Sequence, residues 1–229
     1  QKGLQFLLQN SVDAILLDLN LPESQGLVTL QTVLANSPQT TCILVTGGNE
    51  TDIALHSVRL GAHDYLDKSS MDAALLKKSI YYAIERRNSQ NQLLLNCAVS
   101  NALAQTRTTR DMLQECCQAM VNYLNATFAR IWTVDQRRQL LQLQASAGLY
   151  THLNGNHGEI RIGQYKVGLI ALERQPLLTN SVQIDPRIGD REWAKREGIT
   201  SFAGYPLIAD DQLLGVLGLF ARHPLDEST

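Results

Sequence analysis

The sequence predicts an α/β domain with a partial parallel sheet, a long connecting helix, and then an α+β domain with an antiparallel sheet. Three observations carry this. Three short apolar runs, separated by helical patterns, each lead to one polar residue: Ala14-Ile15-Leu16-Leu17 to Asp18, Cys42-Ile43-Leu44-Val45 to Thr46, and Tyr65-Leu66-Asp67 to Lys68. Runs of this length bounded by turn signals read as buried parallel strands. Neither Gly nor Pro occurs from Ala62 to Ala147, whereas a Gly-rich region with strand character follows. The chain has 229 residues, for which two domains is the better expectation.

The first part opens in a helical stretch, Gly3-Leu4-Gln5-Phe6-Leu7-Leu8, ahead of the Asp18 strand. Residues Gln25 to Asn36 read as a helix with Leu27, Leu30, Val33 and Leu34 on one side, stopped by Ser37-Pro38. Thr51 to Gly61 reads as another, with Gly61 at the position of a left-handed cap. A further helix starts near Ser70-Met71-Asp72, with Ser70 as N-cap and Asp72 adding negative charge to the first turn. Helices alternating with strands imply a parallel sheet with crossovers.

That last helix has a packed face, Leu75, Leu76, Ile80 and Ile84, and no sequence signal ends it. About residues 88 to 110 it is too polar for a core helix. Leu94, Cys97, Asn101 and Ala104 fall at heptad-like spacing, but Thr108 and Asp111 continue that series poorly. A dimeric helical connector and a solvated linker helix both remain open.

Helical spacing resumes over Met112 to Leu124. Phe128 to Val134 and Leu140 to Ser146 then read as a hairpin around Asp135-Gln136-Arg137-Arg138. After a Gly-rich loop come a helix (Val167 to Glu173), a strand (Pro176-Leu177-Leu178), a turn (Ile184-Asp185-Pro186) and a helix (Glu192 to Glu197). Two closing strands, Ser201 to Ile208 and Leu213 to Ala221, flank Asp210-Asp211.

Net charge is −2, with 18% charged and 44% hydrophobic residues, which leaves no electrostatic footprint for nucleic acid or an anionic membrane. The four cysteines, Cys42, Cys97, Cys116 and Cys117, lack metal-ligand spacing and fit a reduced, cytoplasmic setting. No apolar run approaches the ~18 residues of a membrane span, and no secretory signal is visible.

In an open α/β sheet, functional groups collect at the carboxyl ends of the strands. Asp18, Thr46 and Lys68 would therefore converge. A carboxylate receiving a phosphoryl group gains ~1.5 to 2 negative charges, which an ammonium, a hydroxyl and backbone N–H groups can compensate. Asp18 in Ile-Leu-Leu-Asp-Leu-Asn-Leu-Pro, Thr46 in Ile-Leu-Val-Thr-Gly and Lys68 in Gly-Ala-His-Asp-Tyr-Leu-Asp-Lys closely resemble the receiver domains of two-component response regulators. The resemblance covers about residues 1 to 87. It implies a flavodoxin-like sheet, Asp18 as phosphoacceptor, Thr46 as switch hydroxyl, Lys68 as phosphate-contacting lysine and Tyr65 as aromatic switch. It also implies magnesium as cofactor, held in part by Asp18 and the backbone carbonyl of Asn20.

The same resemblance calls for a first strand ending in an acidic pair that holds the magnesium. The expectation is that this strand precedes Gln1, that the receiver lacks its first two strands, and that these residues alone phosphorylate poorly. Ser69 stands where receivers often place Pro. Haloacid-dehalogenase-like phosphatases also use a strand-end Asp, but want a second Asp as general acid where this chain has Asn20, which cannot transfer a proton.

Residues 109 to 229 resemble a GAF domain. The resemblance rests on the entry helix Met112 to Leu124, Ala129-Arg130-Ile131-Trp132-Thr133-Val134-Asp135, Gln175-Pro176-Leu177-Leu178-Thr179-Asn180, Gly198-Ile199 through Pro206-Leu207, and Gly215-Val216-Leu217-Gly218-Leu219-Phe220. It lacks the Asn-Lys…Phe…Asp-Glu signature of cyclic-nucleotide-binding members and has Gly189-Asp190 near the place of the bilin-attaching Cys. Cys116 and Cys117 read as core; His152, His157 and His223 as loop residues; Trp132 and Trp193 as packing.

The resulting expectation is a receiver over 1–87, a helical linker over 88–108 and a GAF domain over 109–229. The protein would act in phosphorelay signalling, with a histidine kinase or phosphotransfer protein as partner. Homodimerisation through the linker and GAF domain and an unknown small-molecule GAF ligand complete it. Alternatives are a non-phosphorylated dimerisation scaffold, or a piece of a histidine kinase or cyclic-dinucleotide enzyme whose catalytic domain lies beyond Thr229.

Overall fold

The computed structural model describes residues 2–10, 12–21, 24–47, 51–105, 108–155, 157–188 and 190–225. The chain divides into two compact units, Gln1–Asn91 and Gln92–Thr229.

The first unit runs α1 (Lys2–Gln9), β1 (Ala14–Asp18), β2 (Asn20–Leu21), β3 (Ser24–Gln25), α2 (Leu27–Asn36), β4 (Thr41–Thr46), α3 (Thr51–Arg59), β5 (Asp64–Asp67) and the start of α4 (Ala73–Gln105). β1, β4 and β5 form a parallel sheet with β4 in the centre. All six residues of β4 are buried. Its side chains alternate between two cores, as the period of two in a strand requires. Cys42 and Leu44 pack with Leu30 and Val33 of α2, and Ile43 packs with Leu66 and Ala83. A strand covered on both faces reads as an unbroken apolar run, which is why Cys42 to Val45 was legible. Gly61 ends α3 at φ +113°, conformation that a Cβ would disfavour.

Helix α4 begins two residues later than its polar flank suggests. Its N-cap is Asp72, whose Oδ1 accepts the Leu75 backbone N–H at 2.7 Å, while Ser70 turns back toward the Asp67 carbonyl. The helix is 33 residues long and ends at Gln105; Thr106 and Arg107 lie outside the described residues. The polar middle of the chain is therefore not one uninterrupted connector. Thr108 is the N-cap of a new helix, α5 (Thr109–Tyr123): its Oγ1 accepts from Asp111 N at 3.1 Å and donates to Asp111 Oδ2 at 2.7 Å. The two residues that fitted a heptad series poorly are the N-cap and the first-turn acid hydrogen-bonded to it.

The second unit continues with β6 (Phe128–Asp135), β7 (Leu140–Gly148), β8 (Glu159–Arg161), α6 (Tyr165–Glu173), β9 (Leu177–Thr179), α7 (Arg191–Arg196), β10 (Ser201–Ala209) and β11 (Gln212–Ala221). The sheet order is β8-β7-β6-β11-β10-β9, antiparallel throughout. β8 was not foreseen; three residues inside a Gly-rich loop give no readable period. Asp210 and Asp211 both take positive φ, 47° and 61°, as a two-residue hairpin turn between β10 and β11 requires.

One sheet face is lined with small residues, Ala129, Ala145, Ala147 and Ala203, and covered by Cys116 and Cys117 of α5 together with Ala102 of α4. The other is aromatic and branched, with Phe128, Trp132, Leu141, Leu143 and Phe202, and Ile170 of α6 packs in the same cluster. A bulge separates these faces within β7. Ile131 pairs with Ala145 but Trp132 pairs with Leu143, so Gln144 is the extra residue and odd-numbered side chains change face across it. Burial pushes the Cys117 thiol up to about 12, consistent with a core role.

Removing the α5 cap by Thr108→Ala is expected to lower the stability of the second unit by about 1 kcal/mol. A urea titration followed by Trp fluorescence measures it through Trp132 and Trp193.

Candidate functional site

The parallel register sets three polar residues along one sheet edge. Asp18 ends β1 and pairs with Val45. Thr46 ends β4 and pairs with Asp67, the last residue of β5. Lys68 follows, and its backbone N–H donates to the Thr46 carbonyl at 2.9 Å. From there its Nζ donates to Asp18 Oδ2 at 2.6 Å. The other carboxylate oxygen, Oδ1, accepts the Asn20 backbone N–H at 3.0 Å. Residues fifty positions apart in sequence thus meet because two crossovers bring their strands to the same edge.

The Lys68 ammonium and then the Asn20 N–H hold the Asp18 carboxyl below the usual aspartate range. The Asp18 and Lys68 side chains are 33% and 46% exposed. Solvent screens such a pair, so its role is placement rather than stability. Thr46 is buried beside it, at 4% exposure, and Tyr65 on β5 is 37% exposed. Ser69 has a structural use of its own: its N–H donates to Asp67 Oδ1 at 2.9 Å and its hydroxyl to Oδ2 at 2.8 Å. Proline could not make the first of these bonds.

Magnesium takes near-octahedral oxygen coordination and commonly one or two protein carboxylates. Asp18 and the Asn20 backbone carbonyl offer part of that set. No three His, Cys, Asp or Glu side chains cluster to hold a metal ion among the described residues. These residues do not make a magnesium site by themselves.

The second unit contains a cavity of about 290 Å³ on the aromatic face of its sheet, bordered by Trp132, Tyr150, Trp193, Phe202 and Phe220. Trp132 and Trp193, which read as packing residues in the sequence, also form walls here. Both indole N–H groups are engaged, Trp132 with the His157 carbonyl at 2.9 Å and Trp193 with Tyr150 Oη at 2.9 Å. Asp190 caps α7 by accepting from Trp193 N at 2.8 Å; Gly189 lies outside the described residues. Beside the cavity, the buried Lys166 ammonium is ion-paired with Asp185, Nζ lying 2.8 Å from Oδ2. Asp185 also takes both Nε and Nη2 of Arg187, at 3.0 and 2.9 Å. The Arg187 bonds, with Lys166 behind them, hold the Asp185 carboxyl far below its ordinary value. No cysteine borders the cavity.

Comparison with known proteins divides the chain in the same order. A family model described as a response regulator receiver domain matches residues 1–80, and one described as a GAF domain matches residues 106–228. Over 93 residues the chain is 36% identical to transcriptional regulatory protein CpxR of Escherichia coli (strain K12), covering 37% of this chain and 39% of that protein. Over 86 residues it is 29% identical to response regulator protein PilR of Pseudomonas aeruginosa, covering 38% and 19%. The chain thus spans well under half the length of these curated relatives. Among solved structures, the GAF domain of a phosphoenolpyruvate-protein phosphotransferase from Coxiella burnetii aligns with TM-score 0.55 at 20% identity, over 61% of this chain and 84% of that one. Free methionine-R-sulfoxide reductase from Neisseria meningitidis aligns with TM-score 0.52 at 18% identity, over 62% and 80%. At these identities the likeness is one of fold. No helix among the described residues is long and apolar enough to cross a membrane.

Because the Asp18 carboxyl is depressed in the folded chain, its contribution to stability is present above the unfolded aspartate pKa. It is lost as pH falls through the folded value. Lys68→Met is expected to move the Asp18 titration midpoint upward toward the ordinary aspartate range, as read by carboxyl carbon NMR.

Proposed function

We propose, for a chain that belongs to the GAF domain family and carries a response regulator receiver domain ahead of that domain, a part in phosphorelay signalling. Asp18 is the phosphoacceptor. The observation that carries this reading is the meeting of Asp18, Thr46 and Lys68 at one sheet edge, with Lys68 Nζ on the Asp18 carboxylate. A histidine kinase or phosphotransfer protein is the partner that supplies the phosphoryl group. An Asp18 oxygen attacks phosphorus as the donor nitrogen leaves. Lys68 then contacts the added phosphate charge, and the Thr46 hydroxyl donates to it.

Phosphorylation favours one of two pre-existing states rather than creating a new one. A shift of Thr46 acts on β4 and β5, and Tyr65 follows. Ile43 and Leu66 of these strands pack against Ala83, Ile80 and Leu76 of α4. Helix α4 carries the change onward as a helical linker. Phosphorylation of the full-length protein that contains these residues, with labelled acetyl phosphate and magnesium, tests the assignment. Asp18→Asn is expected to lose the label; equal labelling of the variant contradicts it.

The second domain acts as a small-molecule sensor, and two copies associate through α4. Leu94, Cys97, Asn101 and Ala104 are exposed along this helix, as are Leu93 at 67% and Leu103 at 63%. Exposed apolar residues on consecutive turns fit a helix-to-helix seam. Leu93→Glu with Leu94→Glu is expected to shift the chain toward monomer in sedimentation equilibrium, and an unchanged dimer places the contact elsewhere.

A further inference from the structure

The second unit buries a cation that the chain does not neutralise. Arg130 lies on β6 between Phe128 and Trp132, on the aromatic face, and is 8% exposed. Its Nε donates to Ser146 Oγ at 3.2 Å, and that hydroxyl donates to the Tyr150 carbonyl at 2.6 Å. The guanidinium carbon is 5.6 Å from the Phe128 ring centre and 5.7 Å from that of Tyr150. Among the described residues Arg130 makes no ion pair, and its two terminal nitrogens make no hydrogen bond. A guanidinium cannot relieve this by releasing its proton. Buried charges are ordinarily paired, and Arg130 borders the cavity.

The rest of the cavity does not supply the missing anion. Lys166 and Arg187 share the single carboxylate of Asp185. Asp190 faces the cavity but spends an oxygen on capping α7. Three cations, Arg130, Lys166 and Arg187, against these two carboxylates leave one positive charge among the cavity's arginine, lysine and aspartate side chains. His157, also on the cavity wall, keeps its Nδ1 buried without a partner. Burial, and then the charge of Arg130, pull its pKa down, so it stays neutral beside the guanidinium.

We propose that this cavity binds a small organic carboxylate, with the carboxylate on the Arg130 fork and an apolar, ring-bearing body among the aromatic side chains. The proposal rests on the sensor reading of the second domain and names its ligand class. A carboxylate matches the planar guanidinium with two parallel hydrogen bonds. Its single charge equals the surplus of the site, whereas a phosphate group brings ~1.5 to 2. A cavity of about 290 Å³ lies at the small end of ligand sites. Ser146 is a positioning residue, holding Nε so that the terminal nitrogens face a ligand.

Calorimetric titration of the 229-residue chain with benzoate, phenylacetate and 4-hydroxyphenylacetate tests this, with phenylacetamide and inorganic phosphate as controls. At least one carboxylate is expected to bind, with the amide and phosphate weaker by about tenfold or more. Arg130→Met is expected to weaken carboxylate binding by a similar factor. The ligand-free variant should melt at the same or a higher temperature, because an unpaired buried charge has been removed. Equal binding of phenylacetamide overturns the carboxylate assignment but leaves the sensor reading standing. Binding of phosphate alone, or of none of the compounds, overturns the proposal, and so does unchanged carboxylate binding by Arg130→Met. If Arg130→Met does not fold, the comparison of phenylacetate with phenylacetamide on the unaltered chain still decides.

Discussion

The candidate phosphoacceptor edge depends on one strand being covered on both faces. β4 is buried at every residue and pairs with β1 on one side and β5 on the other. A one-residue slip of either neighbour would exchange its core and outer faces, exposing Leu17 or Leu66. The two-sided core therefore fixes register. Register in turn sets Asp18, Thr46 and Lys68 along one edge, where the lysine reaches the carboxylate. The ion pair is a consequence of that packing and contributes little to it, since both partners remain open to solvent.

The second unit solves a different problem with its sheet. One face is shaved to alanine so that α5 can approach closely, and the other is filled with rings. The bulge at Gln144 lets β7 serve both, placing Leu141 and Leu143 on the aromatic side and Ala145 and Ala147 on the small side. It also brings Ser146 onto the side occupied by Arg130, where the hydroxyl meets Nε. A polar pair on the apolar face of a sheet is costly unless a partner completes it. On the carboxylate proposal, the cavity next to Arg130 is where that partner would sit.

Thr46 was legible because β4, buried on both faces, is a continuous apolar run whose end marks the edge; β1 and β5 read as similar apolar runs, but each keeps one residue exposed, Leu16 and Tyr65. The alternation of α1, β1, α2, β4, α3, β5 and α4 followed from the same signals, whereas the two-residue strands β2 and β3 and the end of α4 at Gln105 carry no such signal. Other features were hidden for physical reasons. The cap formed by Thr108 and Asp111 was obscured because both residues also sit where a heptad series would continue. β8 is too short to have a period. Arg130 was read only as part of a strand. Its signal was parity, since a charged residue between Phe128 and Trp132 on alternating positions must share their buried face, but the absence of a counter-ion required the fold. Trp132 and Trp193 are packed, as their composition indicated, and also wall a cavity, which side-chain type alone does not distinguish.

The proposed phosphorelay role requires that Asp18 carry the phosphoryl group. An aspartyl phosphate is reduced by borohydride to homoserine, which mass spectrometry locates in a peptide. After acetyl phosphate treatment of the full-length protein, homoserine at position 18 is the predicted result. Homoserine at another aspartate, or a label that resists borohydride, contradicts it.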